Sequence, residues 1–179
     1  AEKNLGQTGL NPSVGSVVVK NNTVISSGIT SINGRPHAEF NALKNIKDIA
    51  RSTLYTSLEP CIHYGVTPPC TNIIIKKKIK NVFYGFEDPD LRTFKKAKKI
   101  LNAKGIETKL IKSKKFESFY RSYLINKKFG TPFISAKIAI SKDFFSINKN
   151  GKWITNIFSK KITHLLSSKH DGILSTSKS

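Results

Sequence analysis

Cysteine is scarce in this sequence: Cys61 and Cys70 are the only two among 179 residues, which excludes the disulfide-dense framework of a small secreted domain. A cysteine pair accompanied by a histidine fits a metal or catalytic set in a reducing compartment, so a cytoplasmic location is expected. Long apolar runs are missing too. No stretch approaches the roughly 18 apolar residues of a transmembrane helix, and Ala1-Glu2-Lys3-Asn4 lacks the apolar core of a signal peptide. No membrane partner is expected. The chain opens on Ala1 rather than Met, as a fragment would, and shows no internal repeat.

Acidic residues are few. Eleven stand against 31 Lys and Arg, a formal net charge of +20, and such an excess raises the question of a nucleic-acid partner. Arginine is also scarce, with Arg35, Arg51, Arg92 and Arg121 the only four. Lysine is the poorer choice for bidentate recognition of phosphates and bases. Its clusters, Lys76-Lys77-Lys78, Lys95-Lys96 with Lys98-Lys99, and Lys112 with Lys114-Lys115, read as solvated helix faces rather than a nucleic-acid surface.

The length suffices for one good core, or one domain and part of a second. Val14 to Lys20 and Thr23 to Ile25 are β-branched runs around Asn21-Asn22, which predicts a β-hairpin. Before it, Ala1 to Gln7 reads as the end of a helix; after it, Gly28 to Pro36 reads as loop. From His37, apolar residues recur at Phe40, Leu43, Ile46 and Ile49, predicting an amphipathic helix whose start Pro36 marks. Strands are expected at 53–58, 82–85 and 106–111, and helices at 71–78, 91–103 and 116–128, the last including a linker. Composition then resets. A strand at 132–141, a helix at 159–167 and a strand at 172–174 look like the opening of a second α/β domain that does not close its core. The expected boundaries are therefore 1–128 and 129–179.

The chemistry is concentrated in His37-Ala38-Glu39, Glu59-Pro60-Cys61 and Cys70. One imidazole and two thiolates satisfy three positions of a tetrahedral zinc ion and leave the fourth for water. Zinc acidifies that water, and Glu39 is placed to take its proton. The zinc deaminases use H-x-E followed by P-C-x-x-C; here the first half matches, while eight residues rather than two separate Cys61 from Cys70. Cys70 at a helix start is expected to favour its thiolate. A purely structural zinc is the competing reading, and it asks for a fourth protein ligand, for which His63 is the candidate.

Thr8-Gly9-Leu10-Asn11-Pro12-Ser13-Val14-Gly15, Pro36-His37-Ala38-Glu39, the run from Leu58 to Thr71, and Asp88-Pro89 resemble in order and spacing the bifunctional riboflavin biosynthesis deaminase/reductase family. Lys137 to Asp143 and Trp153-Ile154-Thr155 resemble the first part of that family's reductase domain. The resemblance implies a cytidine deaminase-like three-layer α/β/α domain with a mixed sheet, followed by an incomplete dihydrofolate reductase-like α/β segment. It implies Zn2+ on His37, Cys61 and Cys70, with Glu39 as the catalytic proton shuttle. The substrate would be a pyrimidine ribosyl phosphate, contacted by Asn11 and His63 and hydrolysed with release of ammonia. NADPH would serve a complete reductase domain, at positions that include Ala139 and Trp153. A homo-oligomer is compatible with this reading. Four positions depart from the family pattern. Thr30 stands where a His is common, Val66 where Lys or Arg is usual, Phe144 where the Gly of an Asp-Gly pair is expected after Asp143, and Ser167 where an Arg is expected. The rivals are a tRNA or nucleic-acid base deaminase and a zinc-stabilised binding module without catalysis.

Overall fold

A computed structural model describes residues 1–146 and 154–175. The chain divides into two compact units, Ala1–Pro132 and Phe133–Ser179. No helix among the described residues is long and apolar enough to cross a membrane.

The first unit is built on the hairpin. Strands β1 (Gly15–Lys20) and β2 (Thr23–Ile29) pair antiparallel, and the turn residues Asn21 and Asn22 have φ of 49° and 59°. A two-residue hairpin turn of the primed type needs this left-handed geometry, which Asn tolerates. Strand β3 (Thr53–Thr56) runs antiparallel to β1, whereas β4 (Asn81–Tyr84) and β5 (Glu107–Leu110) continue parallel from β3. The order β2-β1-β3-β4-β5 is the mixed sheet that the sequence predicts.

Alternation along the strands sends Val18, Leu54 and Val82 to one face, all at 0 % exposure. They pack with Leu43 of α1 (Ala38–Leu43), Ile74 of α2 (Cys70–Lys76) and Leu101 of α3 (Ala97–Asn102). A second cluster gathers Val14, Ala38, Leu58 and Tyr120, with Phe116, Phe119 and Tyr123 against it. It rests on α4 (Lys114–Phe119) and α5 (Arg121–Phe129). Tyr120 joins these helices to the sheet: its hydroxyl lies 2.6 Å from Ser57 Oγ and donates to the Ser13 carbonyl at 3.2 Å.

Several expectations change. The opening stretch forms only a short 3-10 turn at Glu2–Asn4 and breaks at Gly6, whose φ is 80°. Gly28 is strand rather than loop. It faces α1 so closely that a Cβ would collide with the Ala38 carbonyl oxygen and the Ala42 nitrogen. Helix α1 ends at Leu43, and Ile49, although outside the helix, still reaches the core at 2 % exposure. The helix expected over 91–103 begins only at Ala97 because Lys95 sits at φ 57° and the N–H groups of Lys95 and Ala97 turn to the Glu59 carboxylate. The helix expected at 116–128 is two helices, separated at Tyr120.

In the second unit the regular element among the described residues is α6 (Ile157–Ser167), whose cap Asn156 accepts from the Ser159 N–H at 2.9 Å. The strands expected at 132–141 and 172–174 do not form. Apolar alternation alone does not make a strand: the ladder needs a neighbour to pair its N–H and C=O groups. Ala139 accordingly lies in a stretch without regular structure, and Trp153 lies outside the described residues. Phe144 has φ 67°, in the left-handed region that glycine adopts at least cost.

Candidate metal centre

Three elements converge on one point. Pro36 ends the loop before α1 and His37 occupies the α1 N-cap, with φ −69° and ψ 160°. Asn41, one turn into the helix, holds this approach: its Nδ2 donates to the Ile29 carbonyl at 2.8 Å, Ser31 Oγ at 3.0 Å and the Pro36 carbonyl at 3.3 Å. Cys61 follows β3 in an extended loop. Cys70 is the first residue of α2, where Pro69 suits the helix start because its missing N–H is not needed there.

His37 Nδ1 lies 3.4 Å from Cys70 Sγ and 3.6 Å from Cys61 Sγ, and all three ligand atoms fall within 4.8 Å of one another. A tetrahedron with Zn–N of about 2.0–2.1 Å and Zn–S of about 2.3 Å has an N···S edge of about 3.5 Å. The donor set and its spacing therefore fit a zinc ion. His63 is not part of the set. Its Nδ1 lies 3.2 Å from Thr93 Oγ1, and among the described residues the ligand atoms gathered within 4.8 Å are those of His37, Cys61 and Cys70, the three donors that an open site uses.

The electrostatics single out Cys61. Its thiol is pushed down by the Cys70 side chain and by His37, both hydrogen-bonded to it, against the opposing effect of burial. The Cys70 N–H donates to Cys61 Sγ at 3.3 Å. Cys70 itself is pushed up, by its hydrogen bond to Cys61 and by burial. The first N–H of α2 thus serves the Cys61 sulfur. His37 is raised, chiefly through its bond to Cys61. Glu39 is 4 % exposed, and burial, aided by the Cys61 charge, raises its carboxyl to about 7.

The other predicted residues surround this point. Asn11 packs against the backbone leading into His37: at Gly34, whose φ is 83°, a Cβ would collide with Asn11 Nδ2 and the Thr8 carbonyl. Thr30 is a fold residue at 1 % exposure, its hydroxyl accepting from the Val14 N–H at 2.9 Å. Val66 stands 88 % exposed in the loop between the cysteines.

Glu59 has a structural task that its place beside Cys61 does not reveal. Buried to 2 % exposure, its carboxylate accepts from the N–H groups of Asp88 (3.2 Å), Lys95 (3.1 Å) and Ala97 (3.1 Å). It thereby ties the segment carrying Thr93, and through Thr93 His63, to the end of β3. The tie continues to α5, where the Tyr123 hydroxyl donates to Asp88 Oδ1 at 3.1 Å and Lys127 pairs with Asp90 at 3.2 Å.

A mixed sheet that delivers a His-x-Glu helix start and two cysteines to one point has the arrangement of a cytidine deaminase-like zinc-binding domain. Residues 1–86 match the family described as the cytidine and deoxycytidylate deaminase zinc-binding region. Within that class the chain is similar to riboflavin biosynthesis protein RibD. It is 38 % identical to the RibD of Bacillus amyloliquefaciens over 160 residues, covering 87 % of this chain and 43 % of that protein. For RibD of Aquifex aeolicus the identity is 37 % over 174 residues, covering 93 % and 48 %. Among solved structures, the diaminohydroxyphosphoribosylaminopyrimidine deaminase/5-amino-6-(5-phosphoribosylamino)uracil reductase of Thermotoga maritima superposes with a TM-score of 0.83 at 33 % identity, over 92 % of this chain and 49 % of that one. One form of Acinetobacter baumannii RibD gives 0.82 at 30 % identity, over 94 % and 48 %. The chain thus spans about half the length of the relatives it matches.

Proposed function

We propose that this chain is a zinc-dependent deaminase of riboflavin biosynthesis, acting on a diaminopyrimidinone that carries a ribosylamino 5′-phosphate and releasing the corresponding pyrimidinedione and ammonia. The observation that carries the proposal is the open three-donor set of His37, Cys61 and Cys70 with the buried Glu39 carboxyl beside it. The likeness to RibD supports the choice of substrate.

Zinc held by His37, Cys61 and Cys70 would supply an acidified water as nucleophile. Glu39 moves the protons. A carboxyl raised to about 7 by burial both accepts and returns a proton near neutral pH. In hydrolytic deamination the water oxygen ends on the amidine carbon. One proton goes to the ring nitrogen and the amino nitrogen leaves as ammonia; Glu39 is the carrier for both transfers. The Glu59 clamp holds the segment bearing Thr93, so His63 meets the substrate from a fixed position, with Asn11 contributing from the other side of the His37 approach. Burial and the Arg92 charge lower His63, which favours the neutral imidazole as a hydrogen-bonding group. We assign NADPH-dependent reduction only to a chain with a complete second domain, in which Ala139 and Trp153 would be contact positions.

The test is zinc stoichiometry together with ammonia release from the diaminopyrimidinone ribosyl phosphate, with a free nucleoside and an RNA hairpin as competitors. One zinc per chain and turnover of the ribosyl phosphate are expected. Deamination of the RNA in preference would overturn the substrate, and zinc binding without turnover of any of the three would favour a binding module.

A further inference from the structure

The Arg35 guanidinium lies at the rim of the metal centre with no acidic partner. It sits two residues before His37, and its Nη1 donates to the Thr67 hydroxyl in the loop between Cys61 and Cys70. Its Nη2 lies over the same loop, 2.9 Å from where a Cβ on Gly65 would be. The ion pairs among the described residues are Lys20 with Asp48, Arg92 and Lys127 with Asp90, and Lys95 with Glu87; none involves Arg35. The contrast with Arg92 is informative. That guanidinium also faces the His63 region, but Asp90 occupies it from two sides, at 2.9 and 2.6 Å.

Arg35 is half-buried, and a partly desolvated charge held by one neutral hydroxyl is left short of compensation. A guanidinium offers five N–H donors in a planar fork that fits two oxygens of a phosphate. The loop from Ile62 to Pro69 contains no cation of its own, so Arg35 is what brings positive charge to it. The Asn11 amide packs against Gly34 immediately beside Arg35 and adds a polar group on the same rim.

We propose that Arg35, aimed by Thr67, is the seat for the phosphate of the substrate. This rests on the deaminase reading given above, and it places the sugar phosphate over the 62–69 loop while the pyrimidine faces Glu39. Binding of phosphate here completes the fork that Thr67 only begins to fill.

Two measurements on the zinc-loaded full chain separate the seat from the reaction. In the first, ribose 5-phosphate is titrated calorimetrically without turnover. Arg35→Gln should weaken it about tenfold or more, the worth of a hydrogen bond to a charged group, and Arg35→Lys should restore part of the loss. In the second, KM for the diaminopyrimidinone ribosyl phosphate should rise by a similar factor in Arg35→Gln with kcat held within about twofold, and turnover of the dephosphorylated nucleoside should be unchanged. Thr67→Val keeps the charge and releases the aim, so it should show the same pattern in weaker form, and it carries the test should Arg35→Gln not fold. Ribose 5-phosphate binding that is absent from the parent chain, or equal in parent and variants, overturns the seat. Equal losses toward phosphorylated and dephosphorylated substrates overturn it as well, since they mark a structural role. If the parent chain releases no ammonia yet binds ribose 5-phosphate through Arg35, the deaminase reading fails and the anion seat stands.

Discussion

At the scale of single residues, two buried carboxyls, Glu39 and Asp88, have different tasks. In the proposed reaction Glu39 carries the protons, so Glu39→Gln should lower turnover by about 10²–10⁴-fold, while zinc content, read by atomic absorption, and far-UV circular dichroism stay unchanged. Asp88, 5 % exposed, is raised by burial to about 6. The folded chain therefore binds this proton more tightly than the unfolded chain does. The resulting stability is fully present below the ordinary carboxylate range and is lost as pH rises through about 6. Asp88→Asn should remove that dependence, worth about 3 kcal/mol between low and neutral pH, because both hydrogen bonds, from Tyr123 and from the Asp90 N–H, end on the single oxygen Oδ1, which the amide keeps. Urea denaturation of parent and variant at pH 4, 5, 6 and 7 checks this. Parallel curves at every pH would place the proton elsewhere.

At the scale of elements, the position of the site depends on how close α1 comes to β2. Gly28 permits that approach, and with Ala38 and Ala42 on the facing turns of the helix a methyl group has nowhere to go. Gly28→Ala should cost about 1–3 kcal/mol through overpacking and should also weaken zinc binding, because the first turn of the displaced helix carries both His37 and Glu39; denaturation and zinc competition by a colorimetric chelator read the two effects. The ligand trio was legible in the sequence because side-chain chemistry and spacing are local. Gly28 was not, because nothing in a run of Ser and Gly announces a helix lying across it. Glu59 was visible as part of a motif but not as a clamp, since its partners are backbone N–H groups 29 to 38 positions downstream. The same bonds accompany the late start of α3: the segment before it has the lysine-rich composition of a helix, but the N–H groups of Lys95 and Ala97 go to Glu59. The strand expected at 132–141 does not form for the converse reason: its apolar residues suit a strand, yet a ladder is a property of two segments.

At the scale of the whole molecule, zinc and the fold are thermodynamically linked. The three donors come from a helix cap, a loop and a second helix start, which an unfolded chain does not bring together. Saturating zinc should therefore raise the stability of the first unit by about 3–4 kcal/mol when free metal exceeds its dissociation constant by 100- to 1,000-fold, with EDTA reversing the gain. Scanning calorimetry on the full chain should show the shift in the transition that includes β1 to α5. An unmoved transition would sink the metal centre.

Tyr120 closes this unit by reaching the Ser13 carbonyl 107 positions earlier in the chain, and that distance sets a schedule during synthesis. The segment through Cys70 leaves the ribosome well before Tyr120 does, by an interval on the order of seconds at about 5–20 residues per second. A nascent chain thus has its three metal ligands in hand before α4, Tyr120 and α5, which pack on the second cluster, exist. Translation itself separates the arrival of the ligands from the final closure of the domain, and a metal ion present in that window meets the site while its surroundings are still open.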